Sequence, residues 1–149
     1  MSKAESLQDL LVKSKDSDSV IRGQAADQLG ALGGPDAIVE LKVLLTDSDV
    51  IVRFKAASAL AYLGHADGSQ ALLWALGRLE LSFAALEALT ELGSPQTIDG
   101  LKRFFSRWHL HPLERLQTAA ALHRCGVEEG TKFLNSSLES NKPEERGFA

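Results

Sequence analysis

The chain repeats itself, and this constrains its folding more than any other feature. DSDSVIRGQAADQLGALG begins at Asp16 and DSDVIVRFKAASALAYLG at Asp47, so Arg22 and Arg53 stand 31 positions apart. The same offset pairs Asp16 with Asp47, Asp18 with Asp49, Ala26 with Ala57, Leu29 with Leu60 and Gly33 with Gly64. Three offsets from Arg22 reach Arg115, with Ala119, Leu122 and Gly126 in register behind it, and four reach Arg146. A further copy matches through Ser82, Leu86, Leu89, Leu92 and Gly93 once two residues are removed between Leu76 and Ser82. A period of this size marks a stacked array, because one unit cannot bury its own apolar side and needs a neighbour to cover it.

Each copy reads as two helices. Ile38, Leu41, Leu44 and Leu45 follow helical spacing, as do Val52, Ala56, Ala57, Leu60 and Leu63 in the second helix of the same copy. No segment alternates with period two for long enough to make a strand. Pro35, Pro95, Pro112 and Pro143 fall in first turns, where a missing N–H has no helical partner. Gly33, Gly64, Gly93 and Gly126 close the second helices, and Asp18 and Asp49 stand at N-cap or first-turn positions. The spacing predicts helices over 4–14, 19–32, 35–46, 50–63, 68–77, 80–92, 95–107, 112–125 and 128–139. These group into a single domain over 1–149, with units at 4–33, 35–64, 67–93, 95–126 and an incomplete 128–149.

Composition narrows the class. At 149 residues with 44% hydrophobic content the chain can build a core, and no apolar run reaches the ~18 residues of a membrane span. Met1 to Lys15 lacks the apolar stretch of a signal peptide, and the single Cys125 excludes an internal disulfide. A cytoplasmic protein is the expectation. The net charge of −4 disfavours a non-specific nucleic-acid binder, which usually carries a basic face.

The pattern D-x-x-x-R-x-x-A-A-x-x-L-x-x-L-G, at Asp18–Gly33 and Asp49–Gly64, resembles the HEAT-like repeats in the short form of phycobilin lyase subunits. The resemblance covers essentially the whole chain and implies an all-α, right-handed α-α superhelix, a solenoid of about four and a half helix pairs. It also implies a ladder, in which Asp18, Arg22, Asp49, Arg53 and Arg115 link successive units by charge-assisted hydrogen bonds. The third unit lacks the arginine and the fourth the aspartate.

In such an array the second helices line a concave face that commonly carries function. Removing the apolar stripe leaves Gln24, Asp27 and Gln28 in the first unit, and Lys55, Ser58 and Tyr62 in the second. The third contributes Glu87 and Glu91, the fourth Gln117 and Arg124. Arg103 to Pro112 reads RFFSRWHLHP, and its Trp108 is either a binding anchor or a cover for the base of the core. His109 and His111 form H-x-H without a nearby cysteine or carboxylate to complete a metal site, so no metal is expected.

Cys125 occupies the leucine slot of the repeat and reads as a small buried hydrophobe. No nucleophile elbow, phosphate loop or dinucleotide loop is present. The expectation is a chain that is not an enzyme and needs no cofactor, a scaffold binding another protein on its concave face. The family resemblance also implies two alternatives. One is a bilin-lyase-like enzyme subunit. The other is a nucleic-acid-binding protein like the HEAT-like DNA glycosylases, which the acidic Asp27, Glu87 and Glu91 disfavour. Finally, Arg146-Gly147-Phe148-Ala149 mirrors Arg22-Gly23-Gln24-Ala25 as the opening of another second helix. A fragment of a longer array is one expectation from it, and a homo-oligomer formed through the incomplete last repeat is another.

Overall fold

The computed structural model describes residues 5–78 and 80–139. Pro143 and the motif from Arg146 to Ala149 lie outside the described residues. Among the described residues there are nine α-helices and no strand. They are α1 Leu7–Lys13, α2 Ser19–Leu32, α3 Pro35–Leu44, α4 Val50–Tyr62, α5 Ser69–Ala75, α6 Ser82–Leu92, α7 Pro95–Phe105, α8 Pro112–Arg124 and α9 Glu128–Glu139. A 3-10 turn at Ala66–Gly68 leads into α5. None of the helices is long and apolar enough to cross a membrane.

The helix ends follow from local chemistry. Asp18 accepts the Val20 N–H, and Asp49 accepts those of Ile51 and Val52, so both cap the helices that follow them. Pro35, Pro95 and Pro112 open α3, α7 and α8. Gly93 ends α6 in the left-handed region at φ 55°, a conformation that costs a side-chain-bearing residue energy. Three predicted starts shift inward, that of α5 by one residue to Ser69. Helix α1 opens at Leu7 because Ser6 and Asp9 form a reciprocal capping box. Helix α6 opens at Ser82, the residue matching Arg53, so the first turn of α4 has no counterpart there.

The chain divides into two compact units, residues 1–72 and 73–149. In the first, α1 packs on α2, α2 on α3 and α4, and α3 on α4. Leu10, Ala26, Leu29, Ala37, Leu41, Leu44, Val52, Ala56 and Leu60 form its core. Small residues let the second helices approach: a Cβ added to Gly30 would lie 2.6 Å from the Ala59 Cβ. In the second unit, α6 packs on α7 and α8, α7 on α8, and α8 on α9. Ala85, Leu89, Leu101, Ala119 and Leu122 are fully buried there. At Gly130 a Cβ would meet the Ala119 carbonyl oxygen at 2.5 Å, so glycine sets the spacing between α8 and α9.

The charged network in the first unit differs from the ladder that the family resemblance implied. Arg22 donates through Nε and a terminal nitrogen to both oxygens of Asp47, at 2.7 and 2.8 Å. Its other terminal nitrogen donates to the carbonyls of Asp16 and Ser17. The acid that arginine meets is therefore Asp47, while Asp18 and Asp49 spend their carboxylates on helix caps. Arg53 repeats the carbonyl half of this arrangement, donating to Asp47 and Ser48. One offset beyond Asp47 stands Arg78 in place of an acid, and among the described residues Arg53 has no carboxylate partner. Arg115 donates to the Arg107 carbonyl at 2.7 Å and pairs with no acid among the described residues. Glu40 supplies a link that carries no repeated signal: it is buried and accepts the Ser14 hydroxyl at 2.6 Å.

Candidate functional site

Within the first unit the α2–α4 face presents fewer groups than the sequence suggested. Gln24, Asp27 and Gln28 are exposed on α2. Lys55 reaches across from α4 to form an ion pair with Asp27, so these two charges answer each other. The Ser58 hydroxyl oxygen is buried and has no hydrogen-bond partner among the described residues, so it is not presented for binding. Tyr62 is 56% exposed at the end of α4.

The second unit offers the better-formed surface. Glu87, Glu91 and Arg124 are exposed there, and Gln117 is half-buried. A hollow of about 140 Å³ between α6 and α8 brings together Phe83, Leu86, Glu87, Gln117, Ala120 and Arg124. Glu91 does not line it. A larger hollow of about 480 Å³ at the starts of the same helices is lined by Ser82, Phe83, His111, Leu113 and Gln117 among others. A third, of about 490 Å³, runs between α8 and α9. Gln117 lines all three, and Phe83 lies on the first two.

Phe83 and Leu113 were not anticipated as site residues. Phe83 matches Phe54 in register, and Phe54 is buried, so the repeat pointed the wrong way. With the first turn missing from α6, Phe83 stands near its start and is 58% exposed. Leu113 did carry a signal. It shares one register position with Val20 and Ile51, and all three are exposed apolar side chains. The first helices hold a similar position, where Val12, Val43 and Trp74 are exposed, the last with the Arg78 guanidinium 3.4 Å from its ring centroid.

The loop between α7 and α8 turns Trp108 away from the core. Arg115 holds its backbone at Arg107, Leu110 turns into the core, and the His111 ring nitrogen Nδ1 accepts the Leu113 N–H as a helix cap. Trp108 is left 90% exposed, with an edge contact to the His109 ring at 5.5 Å. It does not cover the core. Cys125 ends α8 half-buried, its sulfur 4.0 Å from the Thr90 carbonyl oxygen. Burial pushes its thiol pKa up, with Arg124 opposing, so it stays protonated near neutral pH.

Comparison with known proteins places this architecture. The model for HEAT repeats matches residues 40–109, and that for the PBS lyase HEAT-like repeat matches residues 21–47. The chain is similar in structure to the complex of CpcE and CpcF of phycocyanin lyase from Nostoc sp. PCC7120. There the TM-score is 0.59 at 18% identity, over 95% of this chain and 73% of that one. It is also similar to human deoxyhypusine hydroxylase in complex with glycerol, with a TM-score of 0.53 and 20% identity over 93% of this chain. This chain spans 57% of that hydroxylase chain. No curated protein sequence matches this one. At such identities the likeness concerns the fold, an all-α HEAT-like solenoid. The expectation that the chain is not an enzyme needs correcting, because both neighbours carry enzyme names and the PBS lyase repeat model matches this chain. Repeated helix pairs of about 31 residues, the capping acids and the two family models together identify the chain as a HEAT-like repeat protein.

Proposed function

We propose that this repeat scaffold docks a protein partner on the second-helix face of its second unit, with Phe83 and Leu113 as apolar anchors. Glu87, Gln117 and Arg124 form the polar surround, and Trp108 adds a second exposed aromatic. The observation that carries this reading is Phe83, more than half exposed on the rim of two hollows that share Gln117. An exposed aromatic beside a hollow and ringed by polar groups has the composition of an interface hot spot. The CpcE–CpcF complex, where a similar fold occurs in a two-protein assembly, supports the same reading.

The test is affinity capture from the source lysate, with recovered proteins quantified by mass spectrometry. Phe83→Glu is expected to cut recovery of a stoichiometric partner by roughly 30-fold, the loss of a ~2 kcal/mol hot spot. Val39→Glu, on the exposed side of α3, is expected to leave recovery unchanged. Equal recovery with both variants would remove this surface from the proposal.

A second reading is favoured by the PBS lyase repeat match at residues 21–47. On that reading the chain is one subunit of a lyase-like enzyme that handles a bilin. Titrating a bilin into the chain, with and without its captured partner, is then expected to shift the bilin absorbance bands. An unchanged spectrum in both mixtures would dispose of it.

A further inference from the structure

Arg22 and Arg53 hold the same repeat position and anchor one half of the guanidinium in the same way. In each, a single terminal nitrogen donates to the carbonyls six and five residues back, Asp16 and Ser17 for Arg22, Asp47 and Ser48 for Arg53. Two carbonyls thus fix each group against the start of its own helix. The remaining edge, Nε and the second terminal nitrogen, faces the same way relative to that helix in both. At Arg22 this edge grips both oxygens of Asp47, at 2.7 and 2.8 Å. At Arg53 it meets no acceptor among the described residues. The acids nearby are spent. Asp47 accepts from Arg22 and from the Asp49 N–H, and Asp49 accepts the N–H groups of Ile51 and Val52. One offset beyond Asp47 the sequence carries Arg78, in the stretch between Leu76 and Ser82 that is two residues short. Arg53 is only half-buried, which leaves its open edge reachable.

We propose that Arg53 is a docking point for a partner protein, which supplies the missing carboxylate from an aspartate or glutamate side chain. Arg22 shows what this edge takes: a planar carboxylate held by two N–H···O bonds, a geometry that a fork matches and a point charge does not. Fixing half of the guanidinium beforehand also removes part of the ordering cost that a loose arginine incurs on binding. Charge selects among anions. Asp47 and Asp49 stand at the start of the same helix, so a singly charged carboxylate meets less repulsion there than a phosphate dianion. The acid that fits best is placed as Asp47 is, two residues ahead of a helix N-cap. There the N–H of the N-cap residue orients the carboxylate, as the Asp49 N–H does that of Asp47.

The probe is the capped peptide Leu-Thr-Asp-Ser-Asp-Val, the sequence of residues 45–50, titrated into the full chain while the arginine Nε–H resonances are followed by NMR. The Arg53 signal is expected to move saturably and that of Arg22 to stay, because its fork is filled. Replacing both aspartates of the peptide by asparagine should weaken binding about tenfold or more, since each charge-assisted bond becomes a neutral one. Inorganic phosphate at the same ionic strength should act more weakly than the acidic peptide. Arg53→Lys keeps the charge without the fork, and should lose the α4 amide shifts that the peptide causes while its other amide signals hold their native places. An Arg53 signal that stays still, or that moves equally with the asparagine peptide, overturns the proposal. So does a stronger response to phosphate, which would make the edge a general anion site, and so does an Arg53→Lys chain that responds as the native one does.

Discussion

Replacing Leu60 by alanine is expected to lower the unfolding free energy by about 3–5 kcal/mol, the range for a leucine truncated in a rigid core. Leu60 is fully buried on α4, in one cluster with Leu29 on α2 and Leu41 on α3. The alanines beside it, Ala26 and Ala56, are themselves fully buried and too short to swing into the space. The cavity should therefore persist, and the lost contacts add to the lost transfer energy. Leu32→Ala is the contrast, because that leucine ends α2 half exposed, at 51%. It should cost less than about 1 kcal/mol, since little apolar area leaves the interior. Urea unfolding followed by far-ultraviolet circular dichroism distinguishes the two. Similar midpoints for both variants would mean that the α2–α3–α4 junction repacks around a missing leucine.

That contrast shows how far the repeat could be read. Offset alone put Leu29, Leu60 and Leu122 in one register, the two-residue deletion brought Leu89 into it, and all four are fully buried. Proline and glycine marked the helix ends closely because each acts through its own backbone. The ladder was harder. Asp16 and Asp18 recur together as Asp47 and Asp49, and a pattern cannot say which acid turns toward arginine. The choice is geometric: the carboxylate two residues ahead of the N-cap can reach a neighbouring helix, whereas the N-cap carboxylate is held by the N–H groups of its own first turn.

The candidate face was legible only in part. Glu87, Gln117 and Arg124 were placed by subtracting the buried stripe, and they do meet around one hollow. Ser58 came from the same subtraction, yet its hydroxyl oxygen is buried. Phe83 could not be found this way. Its exposure depends on where α6 begins, and the two-residue deletion that moves that start was visible without its consequence being so. Trp108 stayed ambiguous because a loop side chain has no period to fix its direction.

The second large effect is expected at Asp47, and it should depend on pH. Both oxygens of this carboxylate accept from Arg22, and one also accepts the Asp49 N–H at 2.8 Å. Hydrogen bonds from Arg22, first, and from the Asp49 backbone hold its pKa below the usual carboxylate range, with burial opposing them. Asp47→Ala is expected to cost about 2–3 kcal/mol at neutral pH. This is less than the ~3–5 kcal/mol of a fully buried pair, because Arg22 keeps the carbonyls of Asp16 and Ser17. A carboxylate whose folded pKa is depressed contributes fully above its unfolded value, about 3.9, and loses that contribution as pH falls through the folded value. The gap between wild type and variant should thus be constant from pH 7 to about 5 and close below about 4. Arg22→Lys should not substitute for the native residue, since a single ammonium cannot span two carboxylate oxygens and two carbonyls at once. Unfolding curves at pH 7, 5 and 3 decide it. A gap that persists undiminished at pH 3 would mean that Asp47 acts through packing rather than through its charge.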